Sequence, residues 1–266
     1  MWSGGKDSTA TVLLFHQHEK ELINEGDTVV INFVEIMFDI KENVSGHNPD
    51  IVKFIYEKKA VFESWGYEVN ILRAETDFLT RFGEPLKNCP DPARNGLKRG
   101  FPLAGGMCWV KRDLKLKPLN AYKKTLAGKE YVEYVGIAAD EIERYKSLKR
   151  TNPHAVSLLV DYDYTESDAK ALCLKYEMLS PQYALNDGKQ KRDGCWFCPY
   201  AKLCEHNSIR KVNPTAWEKY VPLESDAHLG YPKWNMYAKE TLHDREEMLK
   251  NGGEQLTMFG MLPNVV

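Results

Sequence analysis

Long apolar runs are missing from this chain of 266 residues. The longest, Val29 to Phe38, is broken by Asn32 and Glu35 and falls far short of a bilayer span. No secretory leader is visible, because the first residues run straight into a glycine turn. A cytoplasmic enzyme with no membrane contact is therefore the default expectation. Charge of one sign is missing too: 36 Lys and Arg stand against 38 Asp and Glu, for a net charge of −2. Without a global basic field, any contact with nucleic acid must come from a local patch. Internal repeats and low-complexity tracts are absent. The six cysteines come without a leader, so disulfides are not expected, and none of them follows Cys204.

The most informative stretch is Ser3-Gly4-Gly5-Lys6-Asp7-Ser8-Thr9. Adjacent glycines allow a tight turn and bring backbone N–H groups close to a ligand. Ala10 to Phe15 reads as the opening of a helix. A glycine turn feeding a helix N-terminus is an anion site, since free N–H groups and the helix dipole point the same way. The pattern is neither the Walker A motif nor the dinucleotide G-x-G-x-x-G. Only Met1 and Trp2 precede it, although such turns normally follow a strand. The first strand is expected to be missing or reduced to a stub.

Along the chain, helical spacing over Asp7–Glu25 and Ile51–Trp65 alternates with β-rich stretches at Thr28–Phe38 and Glu68–Arg73. This alternation predicts parallel strands joined by helix crossovers, an α/β class. Residues Glu84 to Gly106 are dense in Pro and Gly and read as a long irregular loop. Trp109–Leu126 reads as a helix interrupted at Pro118, Tyr131–Ile137 as a strand, and Ser157–Tyr162 as a strand or turn. Thr165–Tyr176 reads as a helix with Thr165 and Asp168 in a capping box. Three units are expected: 1–192 for nucleotide binding, 193–212 as a Cys-rich segment, and 213–266 as a helical appendage carrying Trp217, Tyr220, Tyr231, Trp234 and Tyr237, with a charged helix over Met236–Leu249.

Cys195, Cys198 and Cys204 form C-x2-C-x5-C, a spacing that can face one metal centre from a tight turn. Cys108 is the candidate fourth ligand and His206 the runner-up. An iron–sulfur cluster (4Fe–4S), a structural Zn2+ at the same four thiolates, and a redox dithiol at Cys195 and Cys198 all suit this pattern. Cys173 sits on the apolar side of a helix and reads as core. Cys89 in the loop is a candidate reactive thiol.

With these pieces in order, the chain resembles the phosphoadenosine-phosphosulfate (PAPS) reductase family, a branch of the PP-loop ATP-pyrophosphatase superfamily. Four blocks carry the likeness: Ser3–Ser8, similar to S-G-G-x-D-S; Met37-Phe38-Asp39 closing a strand; Cys108 with Leu114 to Leu119; and Gly136-Ile137 through Glu141 to Arg144. The resemblance spans roughly residues 1 to 204. It implies a Rossmann-like, adenine nucleotide alpha hydrolase-like sheet, mostly parallel, with helices on both faces and the nucleotide at the strand C-termini. Asp39 is then expected beside the nucleotide.

In that setting Ser3, Gly4, Gly5, Ser8 and Thr9 are suited to donate to phosphate oxygens. Lys6 is suited to neutralise developing charge, and Asp7 to orient the loop or bind Mg2+. Arg144 is expected to hold a phosphate or sulfate bidentately, or else to pair with Glu141 along one helix face. Lys111, Arg112, Lys115 and Lys117 are expected in the anion pocket or on a solvated helix face.

One departure bears on mechanism. Assimilatory reductases of the family carry a catalytic cysteine near the C-terminus, and this chain has none there. The leading expectation is an ATP-dependent sulfur-transfer enzyme that adenylates an acceptor, as in DNA phosphorothioation or tRNA thiolation. It would draw on a cysteine desulfurase or thioredoxin-type donor and a nucleic-acid acceptor. The alternatives are a reductase of PAPS or adenosine-phosphosulfate (APS) that releases sulfite, and a nucleotide-binding regulatory module with a C-terminal aromatic docking surface. A homodimer is a further expectation.

Overall fold

A computed structural model of the chain describes residues 1–103, 108–185, 194–235 and 239–251. It is a mixed α/β protein. The first helix, α1 (Lys6–Leu14), starts from Gly5 in extended conformation and buries Ala10, Leu13 and Leu14. It then widens into a π turn over Phe15–Glu19 and closes with a 3-10 turn at Lys20–Leu22, so the regular α segment is shorter than its apolar spacing suggests.

The β-branched stretch forms two strands, not one. β1 (Val30–Val34) and β2 (Met37–Asp39) are separated by Glu35, which is buried and paired to Arg73 at 2.7 Å and to the Tyr56 hydroxyl at 3.1 Å. β2 pairs antiparallel with β3 (Val44–Ser45). α2 (Pro49–Ser64) follows. The Asn48 side chain accepts from the Asp50 N–H, and Pro49 occupies the first turn, where no N–H is needed. α2 crosses over to β4 (Glu68–Leu72), which runs parallel to β1 with Val30 beside Glu68 and Val34 beside Leu72.

α3 (Phe78–Gly83) is capped by Asp77. The Pro- and Gly-rich stretch after it is a pinned hairpin and not a structureless loop. Leu86 donates to Leu97 O at 2.8 Å, and Arg99 to Glu84 O at 2.7 Å. Its far arm joins residues 228–231 through Lys98 N–H to His228 O (2.9 Å) and Phe101 N–H to Tyr231 O (3.0 Å). Gly100 must be glycine here: its φ is +76°, and a Cβ would lie 2.4 Å from Tyr231 O.

The helix expected around Pro118 is a π segment over Val110–Leu116 that leads into α4 (Lys117–Thr125), with Pro118 in the first turn. β5 (Glu133–Tyr134) pairs parallel with β6 (Ala155–Val156) across α5 (Ile142–Thr151). Residues beyond β6 form a short helix, α6 (Leu158–Asp161), capped by Ser157. α7 (Glu166–Lys175) carries the expected capping box of Thr165 and Asp168. α8 (Leu203–Val212), α9 (Pro214–Tyr220) and α10 (Leu242–Lys250) complete the described elements. The expected helix over 236–249 begins later, and 236–238 lie outside the described residues.

Two buried clusters organise these parts. The first joins Trp2, α1, β1, α2, β4, α6 and α7 around Leu13, Ile31, Ile55, Phe62 and Leu172. The second is rich in aromatic rings and draws on β2, α3, the 108–114 segment, the Cys195–Cys198 turn and the C-terminal helices. Trp217, Tyr220 and Trp234 are at most 2% exposed. Trp217, Tyr220 and Trp234 of the expected appendage are therefore core, and Tyr231 is half-buried with the Arg94 guanidinium 4.9 Å from its ring centre; Tyr237 lies outside the described residues. No helix among the described residues is long and apolar enough to cross a membrane.

Candidate functional site

The glycine turn is held from within. Ser8 Oγ donates to Gly5 O at 3.1 Å and accepts the Ser3 N–H at 3.1 Å; the Ser3 and Ser8 hydroxyls lie 3.0 Å apart. Gly5 N–H donates back to Ser3 Oγ at 3.3 Å. Gly4 sits at φ +76°. Thr9 is fully buried, and its hydroxyl accepts from the Trp2 indole at 3.0 Å, so it serves the core beneath the turn. The Lys6 N–H, at the first helical position, donates to the Tyr183 hydroxyl at 3.0 Å. Tyr183 lies 177 residues away, and no local pattern marks it as part of the turn.

Around this turn stand more carboxylates than cations. Lys6 Nζ bonds both Asp7 oxygens at 2.9 Å and Glu166 at 2.7 Å. Partial burial works against its charge, but these two partners outweigh it and hold the ammonium above its ordinary range. Burial pushes the Asp7 carboxyl up, and Glu166 and Glu141 add to this against the pull of Lys6. Asp140 accepts the Glu166 N–H at 3.2 Å. Glu166 and Asp140 are site residues that residue spacing did not reveal.

The Gly136–Arg144 block reaches the turn directly. A Cβ on Gly136 would lie 2.6 Å from Ser8 N and 2.8 Å from Asp7 C, so the backbones touch there and only glycine fits. Arg144 donates to both Glu141 oxygens at 2.8 Å, the helix-face pairing, and is exposed. Cys173 lies under the turn, its thiol donating to Lys6 O at 3.3 Å; burial raises it to about 12.

Asp39 and Lys115 have partners of their own. Asp39 closes the turn after β2 by accepting from Lys41 N–H (3.0 Å) and Glu42 N–H (3.2 Å), and it pairs with Lys219 at 3.1 Å. Lys115 lies on the half-exposed side of the 110–116 segment, near Lys123, Glu133 and the Met1 amino group.

Two of the four cysteines, Cys108 and Cys195, lie on the rim of the aromatic cluster. Cys198 N–H donates to Cys195 O at 2.9 Å in a tight turn. Burial raises the Cys108 thiol, and the charge of Cys198 adds to the effect. Cys204 lies in the first turn of α8. Trp196 fastens the turn to β3 through its N–H to Gly46 O (2.9 Å) and its indole to Ser45 O (3.0 Å). Among the described residues, no three His, Cys, Asp or Glu side chains are arranged as a ligand set. His206 is fully buried against Trp217 and Trp234, and its Nδ1 lies 3.2 Å from Arg245.

No protein-family model matches the chain. It is 22% identical over 224 residues to an uncharacterized protein of Methanocaldococcus jannaschii, a match covering 82% of this chain and 39% of that protein. The chain thus spans well under half the length of this relative. No solved structure matches.

Proposed function

We propose that the chain is an ATP-dependent sulfur-transfer enzyme of the PP-loop kind, built on a Rossmann-like sheet. The observation that carries this reading is the closed Ser3–Ser8 turn at the N-terminus of α1, with the Gly136 block pressed against its backbone. Trp2 N–H donates to Asn32 O at 2.9 Å, which lays the residues before the turn beside β1 as a strand stub. This contact supports a further strand position beside β1.

The turn offers an anion the positive end of α1. Lys6, now shared between Asp7 and Glu166, is the mobile cation that can follow a phosphate. The surplus carboxylates Asp7, Asp140, Glu141 and Glu166 disfavour a bare polyphosphate and suit a Mg2+ complex, since hard oxygen donors are what Mg2+ takes. In the reaction, an acceptor oxygen attacks the α-phosphorus of ATP, and the α–β anhydride bond breaks with release of pyrophosphate. A sulfur nucleophile then displaces AMP from the activated acceptor. Lys6 offsets charge on the leaving phosphates.

Cys108, Cys195, Cys198 and Cys204 are half-buried thiols, the donor type that a thiolate-bound centre takes; a 4Fe–4S cluster held by them would handle sulfur, and Zn2+ would be structural.

The test uses protein purified without air and given ATP with candidate nucleic-acid acceptors, or PAPS or APS with a thiol donor. Pyrophosphate and AMP release that is lost in Lys6→Ala is the expected result. Sulfite release from a sulfonucleotide would replace this reading with the reductase.

A further inference from the structure

A second group of buried polar side chains, apart from the glycine turn, has donors without partners among the described residues. Beside α3 and the pinned hairpin lies a cleft of about 350 Å³ lined by Arg81, Glu84, Pro85, Leu86, Lys87 and Arg99. None of these residues belongs to the glycine turn.

Two guanidinium groups face this cleft, both largely withdrawn from water: the Arg81 side chain is 21% exposed and the Arg99 side chain 17%. Arg81 pairs with Glu84 and Asp113 through its two terminal nitrogens. Asp113 is also held by Arg112 at 2.6 Å and 2.9 Å, so one carboxylate serves two arginines. Among the described residues Arg99 has one ion pair, a loose one at 3.7 Å to Glu84. Among the described residues the Nε–H groups of both Arg81 and Arg99 are buried without a hydrogen-bond partner, as is the nearby Trp109 indole N–H. The Arg99 guanidinium lies 6.0 Å from the Trp109 ring centre.

The imbalance is entirely of one kind. Every orphaned group is a donor, and Arg81, Arg99 and Lys87 outnumber Glu84 on the lining. Unsatisfied buried donors are rare and costly, and an uncompensated buried cation more so. One ligand class removes both costs: a compact oxyanion that accepts from several N–H groups at once. Arginine forks match tetrahedral oxyanions in geometry as well as charge. Burial and the Arg81 charge both press the Arg99 guanidinium downward from its ordinary range, in line with a site that lacks its counter-ion.

We propose that the cleft between Arg81 and Arg99 binds a phosphoryl or sulfuryl group. The backbone holds the site rigid: Arg99 N–H donates to Glu84 O at 2.7 Å, and the adjoining Lys98 is fixed to residues 228–230. The ligand is either a free oxyanion or the phosphate of a larger molecule, and the chemistry of recognition is the same.

The test titrates the full chain by calorimetry with inorganic phosphate, with sulfate and with the dinucleotide pTpT, against chloride at matched ionic strength. Saturable binding of phosphate or sulfate beyond chloride is expected, and Arg99→Gln should weaken it about tenfold or more by removing a charged donor. Lys87→Gln, an exposed change on the lip that leaves the packing intact, should weaken it about threefold. Tighter binding of pTpT than of phosphate, with the same Arg99 dependence, identifies a polymer phosphate as the source; equal or weaker binding identifies the free ion. Oxyanion binding that is no stronger than that of chloride overturns the proposal. So does binding that survives in Arg99→Gln and disappears in Lys6→Ala, which would place the ion at the glycine turn. If Arg99→Gln does not fold, Lys87→Gln and the chloride comparison decide. ATP binding is measured in parallel, so the two sites fail or succeed separately.

Discussion

The two halves of this molecule are built on different principles. The glycine-turn half packs mainly aliphatic side chains, with a smaller set of rings such as Trp2, Phe33 and Phe62, from helices and parallel strands. The cysteine half packs rings: Phe38, Phe78, Trp109, Trp196, Phe197, Trp217 and Tyr220 come from segments far apart in sequence and meet edge-on or stacked. Its paired strands are few, and the rings take over the ordering. The difference teaches where each half is vulnerable. The first depends on close backbone approach, the second on ring volume.

The largest expected effect is therefore in the second half. Trp217→Ala removes a ring that is 2% exposed and should cost about 3–5 kcal/mol in urea denaturation, taking the Cys195–Cys198 turn with it. A cost under about 1 kcal/mol would show that the rings do not order this half.

In the first half the equivalent change adds atoms. Gly136→Ala drives a methyl into Ser8 N and Asp7 C and should cost about 1–3 kcal/mol. Nucleotide-dependent stabilisation should disappear in the same variant, read as a lost thermal shift with ATP and Mg2+.

A third change tests how separable the halves are. Gly46→Ala would meet Ile36 O at 2.9 Å and the Phe197 ring at 2.9 Å. It should disturb the cysteine turn while ATP binding persists. Parallel loss of both would show one cooperative unit.

How much of this was legible beforehand follows the same division. Gly-Gly between serines, the Thr165 and Asp168 capping box, and the 49–72 helix and strand were readable because each rests on local rules: turn glycines, caps and side-chain period. Tyr183 and Glu166 were not, because only the tertiary path brings them to Lys6. The hairpin at 84–99 read as a loop, since its partner strand lies at 228–231 and Pro and Gly mask its pairing. Thr9 read as a ligand donor because sequence does not say which face of a first helical turn looks inward; Trp2 settles that.

Smaller effects come from titration. The Cys173 thiol, raised to about 12 from an ordinary 9, keeps its proton longer in the folded chain than in the unfolded one. Its contribution is complete below about pH 9 and is lost as pH rises from 9 towards 12. Alkylation at pH 8 should label Cys173 only after unfolding. Asp113, held down to about 2 by Arg112 and then by Arg81, runs the other way. Its contribution is present above the unfolded value near 3.8 and is lost as pH falls from there towards 2. Asp113→Asn should flatten that acid limb of the stability profile. The smallest effect is expected at the exposed Lys59–Glu63 pair on α2, where Glu63→Gln should change stability by about 0.3–0.5 kcal/mol.

The clasp between Lys98 and His228 also sets a schedule for biosynthesis. A nascent chain carries everything the glycine-turn half needs once Met178 and Tyr183 have left the ribosome. Phe38, Phe78 and Phe82 emerge early, yet Trp217, Tyr220 and Trp234 arrive only near the end of translation. Throughout that interval the early rings stand without their partners, as the sticky surface on which chaperones act. A released chain truncated between residues 185 and 215 should therefore display a protease-resistant first half and a second half that still binds a hydrophobic dye.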